Sequence, residues 1–283
     1  MIVIFNFRNS KKKRDEDDAP TTPISGTGGV ALFVPSHGDI LIGNEQDLGS
    51  RSEQQDSFGV SSIEKESIEK RGIFAVVADG MGGLSNGAVY SRTAVNAALK
   101  SFREEEPEMN DEATLLRVLK RAKNAVAETG FADGGTTFVA TLIRNCQLHF
   151  ISVGDSRISL MRNGGMIQLN REHVYGRELD DQALNGIISE LEAHDNRQRK
   201  ALTSYLGKQD DVAIDRNINP IPLYSGDKVV LMSDGVYGFI SEKELTECLL
   251  HKPMEAAVAV KQAVLAKRHP KQDNMTIIVI EVL

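Results

Sequence analysis

Cysteine is nearly missing from this sequence. The two present, Cys146 and Cys248, lie far apart with no Cys-x-x-Cys pair or Cys/His cluster beside either, which excludes a disulfide framework and a cysteine-based zinc site and fits a reducing cytoplasm. Neither is followed six positions later by arginine, so a cysteine nucleophile in an arginine-closed anion loop is absent as well. Long apolar runs are also lacking. Met1-Ile-Val-Ile-Phe5 is far too short to span a bilayer, and its basic residues follow it where a secretory signal would carry them in front, so neither membrane nor export is expected. Positive charge is in deficit: a formal charge of −7 argues against a nucleic-acid partner, and the one basic run, Lys11 to Arg14, is followed at once by the acids Asp15 to Asp18. Gly-x-x-x-x-Gly-Lys-Ser/Thr does not occur, and around Ser156 the second glycine of a Gly-x-Ser-x-Gly elbow is replaced by Ile158.

What is present is enough hydrophobic sequence, 41% of 283 residues, for a sizeable core. Residues 1–27 mix charge with proline, threonine and serine and read as a flexible N-terminal arm; 28–283 read as a single domain. Strands are expected at Gly29–Val34 and Asp39–Gly43 around Pro35-Ser-His-Gly38, then at Ser57–Ser62 and Gly72–Ala78. Apolar residues at helical spacing mark Ser85–Phe102 and Glu112–Thr129. Strands return at Thr136–Ile143, Gln147–Val153 and Arg157–Met161, the last closed by the turn Arg162-Asn-Gly-Gly165. From Glu172 to Gly207 the pattern breaks into short charged segments, helical fragments at best, which suggests a functional flap or lobe. Strands Val212–Ile218 and Asp227–Met232, a capping box at Ser241-x-x-Glu244, a helix from Pro253, and a strand from Met275 complete the chain.

Strands come in runs and helices in adjacent pairs, which is not the βαβ rhythm of a doubly wound sheet. The economical solution is an α+β four-layer αββα sandwich: two largely antiparallel β-sheets flanked by pairs of helices.

Acids recur at the strand ends. Phe74-Ala-Val-Val-Ala-Asp79-Gly80-Met-Gly-Gly83 ends a buried strand in an acid followed by glycines, Leu231-Met-Ser-Asp234-Gly235 repeats the device, and Phe150-Ile-Ser-Val-Gly-Asp155 comes close to it. An isolated Asp-Gly is ordinarily a turn; recurrence at several strand ends suggests that Asp79, Asp155, Asp234 and Asp273 meet at one site together with Asp56. Such a cluster raises its own pKa values unless hard cations neutralise it, and oxygen ligands favour Mg2+ or Mn2+, two ions sharing a bridging carboxylate with the Gly80 carbonyl as a further ligand. Arg51, five residues before Asp56, adds a guanidinium suited to phosphate oxygens, although a lone arginine is as readily a surface ion pair.

The order of these motifs resembles the metal-dependent serine/threonine protein phosphatases of type 2C, in a bacterial form. Arg51-Ser-Glu-Gln-Gln-Asp56, Val77-Ala-Asp79-Gly80-Met-Gly-Gly83, Gly135-Thr-Thr137, Gly154-Asp155-Ser-Arg157, Ser233-Asp234-Gly235 and Asp273-Asn274 follow in family order. The resemblance implies hydrolysis of phosphoserine and phosphothreonine in proteins by direct attack of a metal-bridging hydroxide. It makes Asp79 the bridge between two ions, Gly80 a carbonyl ligand, Asp234 and Asp273 further ligands, and Asp56 a ligand or holder of water. Asp155 with Asp234 would hold a third, weaker ion, or Asp155 is a buried acid beside Arg157. Arg51 would bind the substrate phosphate, Gln55 and Asn274 would support the ligands from behind, and Gly135-Thr-Thr137 would pack.

Two positions depart from the family pattern. Gln55 stands where many relatives have Glu, and Met81 where eukaryotic relatives have a histidine proposed as general acid, which leaves His173 as a candidate proton donor by chemistry alone. The other reading is a pseudophosphatase, a catalytically weak or inactive module that binds phosphoproteins, with Gln55 as its support. The remaining expectations are phosphoprotein substrates in signalling opposite a serine/threonine kinase, a monomer, a cytoplasmic location, and no nucleic-acid or membrane partner.

Overall fold

The computed structural model describes residues 30–283 apart from 33–39, 62–64, 83–85, 105, 107–109, 131–133 and 210. The expected arm, the Pro35-Ser-His-Gly38 turn and Gly83 therefore lie outside the described residues.

β1 (Val30–Leu32), β2 (Ile40–Asp47) and β3 (Asp56–Val60) come first, and a short helix α1 (Lys65–Arg71) leads into β4 (Ile73–Met81). The helix pair α2 (Asn86–Glu104) and α3 (Asp111–Ala127) follows, with the Asn110 side chain accepting from the Glu112 and Ala113 amides to open α3. Next come β5 (Gly135–Thr136), β6 (Phe138–Arg144), β7 (Gln147–Val153), β8 (Arg157–Arg162) and β9 (Gly165–Gln168). Asn163 and Gly164 take φ of 52° and 76° between β8 and β9, the left-handed pair a tight hairpin needs. The lobe carries α4 (Tyr175–Leu184) and α5 (Glu190–Asp195). β10 (Asp215–Arg216), β11 (Ile221–Pro222), β12 (Lys228–Met232), α6 (Asp234–Tyr237), α7 (Glu242–Leu249), α8 (Pro253–Ala266) and β13 (Met275–Val282) end the chain.

One sheet runs β1-β2-β13-β12-β8-β9 and the other β10-β7-β6-β4-β3, with β11 on β7 and β5 on β4. Each of these strand pairs is antiparallel. Alternation along the central strands explains the layering. In β4, Ala75 and Val77 face the core between the sheets, while Phe74, Val76 and Ala78 face α2 and α3. In β13, Ile278, Ile280 and Val282 enter the same inter-sheet core, and Met275, Ile277 and Val279 face α7 and α8. A strand buried on both faces reads as a continuous apolar run, which is why these two stood out in the sequence. The result is three apolar layers between four structural ones, the αββα sandwich. No helix among the described residues is long and apolar enough to cross a membrane.

Two expectations are corrected. Val212–Ile218 pairs only through Asp215 and Arg216, because the Asn217 side chain takes over the ladder: its Oδ1 accepts from Phe150 N at 2.7 Å and its Nδ2 donates to Leu148 O at 2.9 Å. The lobe contains true helices. Ser189 and Glu192 form a capping box that opens α5, and Tyr175 N and Thr203 N donate to Ala201 O and His173 O, folding 173–175 against 201–203.

Phe74 is fully buried and stacks on Phe102 with ring centroids 5.0 Å apart. Phe74→Ala should lower unfolding free energy by about 3–5 kcal/mol in urea titrations, whereas Ile167→Ala, at a 62% exposed residue, should change it by about 0.5 kcal/mol or less. Equal effects at both sites would contradict the assigned layers.

Candidate active site

Asp79 is held by its backbone. Its N–H donates to Thr137 Oγ1 at 2.9 Å, and its carbonyl accepts from Thr137 N and Thr136 Oγ1, each at 2.9 Å. Thr137 Oγ1 also shares a hydrogen bond of 2.8 Å with Ser156 Oγ, beside Asp155. Gly135-Thr-Thr137 therefore clamps the acid, a more particular task than packing. Across the β3–β4 pair, Asp79 lies opposite Asp56.

Close approach, not turn geometry, fixes the glycine after each acid. A Cβ on Gly80 would meet Gly87 O at 2.0 Å and Gln55 O at 2.6 Å; one on Gly235 would meet Asn274 O at 1.8 Å. These contacts press β4 against the Gln55 segment and α6 against the Asp273 loop, so the acid-bearing ends of both sheets share one edge.

There they line a cleft of about 360 Å³, whose walls include Arg51, Gln55, Asp79, Gly80, Met81 and Thr137. Gly82, Asp155, Lys200, Leu202, Asp234, Asp273 and Asn274 complete the lining. Asp56 lies beneath this wall and is buried: its Oδ2 accepts from Ser233 Oγ at 2.7 Å and Thr276 Oγ1 at 2.8 Å, and its Oδ1 is left with no hydrogen-bond partner among the described residues. Asp273 Oδ1 accepts from Asn274 N at 2.8 Å, while the Asn274 side chain accepts from Gln55 N and donates to Leu48 O. Arg51, 54% exposed, donates to Asp273 Oδ2 at 2.5 Å. Arg157 pairs with Glu172 and lies 3.6 Å over the Tyr237 ring, whose hydroxyl donates to Asp155 O at 3.0 Å.

His173 does not join the acids. Its Nδ1 accepts from Gly154 N at 3.0 Å, burial holds its pKa below the usual value, and it lines neither this cleft nor the larger one beside it, so it is no proton donor here. The sequence reading also missed Ser233 and Thr276, which grip Asp56, and Lys200, which the lobe delivers to the cleft.

Electrostatically the acids are frustrated. Burial, then repulsion by Asp56, Asp234, Asp155 and Asp273, holds Asp79 well above the usual carboxylate range. Burial pushes Asp56 up to about 7 against the opposing pull of the Ser233 and Thr276 hydroxyls. Asp155 also rises to about 7, through burial and then the charges of Asp234 and Glu172. Asp234 is raised by burial and Asp273, with Lys200, a hydrogen bond to Asp79, and Arg51 opposing.

The donor set suits hard divalent cations. Carboxylate oxygens dominate the donors offered, Arg51 and Lys200 offset only part of their charge, and among the described residues a buried Asp56 oxygen is unpartnered. Among the described residues no three acids, histidines or cysteines form a preformed cage, so the cleft suits ions that keep much of their water.

A sequence profile of the family described as Protein phosphatase 2C matches residues 47–268. The chain belongs to the protein phosphatase 2C family. Serine/threonine phosphatase stp of Listeria innocua is 30% identical over 239 residues, 82% of this chain and 91% of that protein. Serine/threonine protein phosphatase PstP of Mycobacterium tuberculosis is 28% identical over 229 residues, 79% of this chain and 43% of that longer protein. The solved catalytic domain of PstP in complex with two manganese ions superposes with a TM-score of 0.67 at 26% identity, covering 86% of this chain and 98% of that one. The Streptococcus agalactiae serine/threonine phosphatase gives 0.73 at 25% identity over 86% of this chain and all of that one. The family and the fold expected from the motif order are thus both present.

The raised carboxylates set a pH dependence. Between about pH 4 and 7 Asp56 and Asp155 of the metal-free folded chain hold protons that the unfolded chain has lost, so the stability these two acids contribute is greatest at low pH and is lost as pH rises through their folded pKa values near 7. Divalent cations compete with those protons. The melting temperature of chelator-treated protein should therefore fall from pH 5 to pH 8, and the rise produced by Mn2+ should be larger at pH 8. A manganese effect independent of pH would contradict the site.

Proposed function

We propose that this chain dephosphorylates phosphoserine and phosphothreonine in proteins with divalent cations held at the cleft, water attacking phosphorus directly. Metal-dependent protein dephosphorylation is the activity of the family, and the observation that carries the finer reading is the meeting of four strand-end carboxylates with Arg51 in one cleft. Asp79, the Gly80 carbonyl, Asp234 and Asp273 would hold two ions, with Asp56 and Asp155 as further oxygen donors; Mn2+ or Mg2+ both suit them. Bound there, such ions lower the pKa of water and offset charge developing on the phosphoryl oxygens.

The protein's own groups do the positioning. Arg51 sits on the rim, exposed enough to leave Asp273 for a substrate phosphate and orient it for in-line attack. Thr136 and Thr137 fix the main chain of Asp79, so its carboxylate is presented without a search of backbone conformations. Ser233 and Thr276 orient buried Asp56 and leave its Oδ1 free to accept. Met81 lines the cleft and has no proton to give, so the departing alkoxide takes its proton from solvent in the open cleft. Nothing in the site favours an inactive module: Gln55 keeps its backbone contacts to Asn274 and Gly80, and every acid is in place. We place the reaction in the cytoplasm, opposite a serine/threonine kinase, with the chain acting as a monomer; its separate, half-buried thiols fit a reducing compartment.

Hydrolysis of p-nitrophenyl phosphate should require Mn2+ or Mg2+ and stop with chelator. Asp79→Asn and Asp234→Asn should each lower kcat at least about a hundredfold, and Arg51→Ala should lower kcat/KM about ten- to a hundredfold. A rate indifferent to chelator and to both aspartate substitutions would sink the reading.

A further inference from the structure

A second groove, about 750 Å³, opens beside the catalytic cleft and shares Asp155, Lys200, Asp234 and Asp273 with it. At about twice the volume of the catalytic cleft it is larger than the phosphoryl group alone requires, and its walls are unequal in charge. Setting apart the three aspartates shared with the catalytic cleft, it presents five cationic side chains against only Glu172 and Asp180. Most of those cations are engaged. Arg157 pairs with Glu172, Arg199 makes a two-armed contact with Asp180 at 2.9 and 3.1 Å, and Lys267 pairs with Glu244 at 2.5 Å. Arg177 lies 4.0 Å from a Glu172 already taken, and its charge also acts on Asp180.

Lys200 differs from all of them. It is exposed, and it has no hydrogen-bond or ion-pair partner among the described residues. It stands where the two cavities join, close enough for its charge to act on Asp234. Its backbone is not free to wander. Arg199 O accepts from Gly176 N at 2.8 Å, Ala201 O accepts from Tyr175 N at 2.9 Å, and the Arg199 guanidinium also donates to Ala193 O at 2.7 Å. The lobe thus anchors the backbone that carries one unpaired ammonium, among the described residues, at the junction of the two cavities.

We infer that this groove takes the substrate chain flanking the phosphorylated residue, and that Lys200 selects an acidic side chain next to the phosphoserine or phosphothreonine. The inference rests on the phosphatase reading and adds a substrate class to it. A basic neighbour would be repelled by Lys200 and Arg177; an acidic one finds an ammonium with no competing partner among the described residues, carried on a backbone already held in place. Divalent cations on the shared aspartates strengthen the bias, because they cancel the negative charge that opposes it. Arg51 handles the phosphate; Lys200 handles its neighbour.

The test compares kcat/KM with Mn2+ on three phosphoserine peptides that differ only in the residues flanking the phosphoserine: glutamate, alanine or lysine. Wild-type protein should favour the glutamate peptide over the alanine peptide about fivefold, and the lysine peptide should be poorest. Lys200→Ala should bring the glutamate-to-alanine ratio to about one, and Lys200→Glu should invert it so that the lysine peptide becomes best. Arg177→Glu should shift the ratio the same way by a smaller factor. Half-molar salt should compress the wild-type preference. A ratio unchanged by both Lys200 substitutions, or no wild-type preference among the peptides, would overturn the inference while leaving the phosphatase reading intact. Failure to turn over any peptide and p-nitrophenyl phosphate alike would overturn that reading and the inference with it.

Discussion

Repulsion among Asp79, Asp155, Asp234 and Asp273, crowded with buried Asp56 at the shared edge of two sheets, is the constraint on which the rest of the molecule depends. Left alone, Asp56 and Asp155 hold protons up to about pH 7, Asp79 and Asp234 also ionise with difficulty, and full ionisation would press the edge apart. The sandwich withstands this because its three apolar layers fix the strands well away from the acids, and because short-range devices lock each strand end. Gly80 and Gly235 allow backbones to touch, the paired threonines clamp Asp79, and two hydroxyls grip Asp56. A rigid frame with a frustrated edge has an unmet demand for positive charge, and divalent cations of the kind bound by the family meet it.

The fold was largely legible because its decisive strands are buried on both faces. β4 and β13 are continuous apolar runs, and α2 and α3 each carry an apolar stripe facing a sheet. The family order of short motifs then fixed the class. Local sequence reported less well where side chains stand in for main chain. Asn217 ends a strand that the apolar Ile218 after it would continue, and α4 opens at Val174 with no capping side chain to announce it. α5 was announced, by Ser189 and Glu192, but the charged surroundings hid the signal.

The candidate site divides along the same line. Acids at strand ends followed by glycine carry their own local signature, and these residues come together in the cleft. What holds and surrounds them does not. Ser233 and Thr276 reach Asp56 across 177 and 220 residues of sequence, and an isolated hydroxyl carries no mark of its partner. Lys200 lies in the stretch with the least pattern of all, and only the folding of the lobe back onto the core brings it to the cleft. His173 looked like chemistry in the sequence and is an acceptor for the Gly154 amide in the structure.

The central claim, that the carboxylate edge is built for divalent cations, is tested most directly by anomalous diffraction at the manganese edge from crystals grown with Mn2+. The account predicts strong peaks in the cleft beside Asp79, the Gly80 carbonyl, Asp234 and Asp273, and their loss in Asp79→Asn crystals. Well-ordered crystals with an intact cleft and no peak there, or peaks unaffected by the substitution, would contradict it.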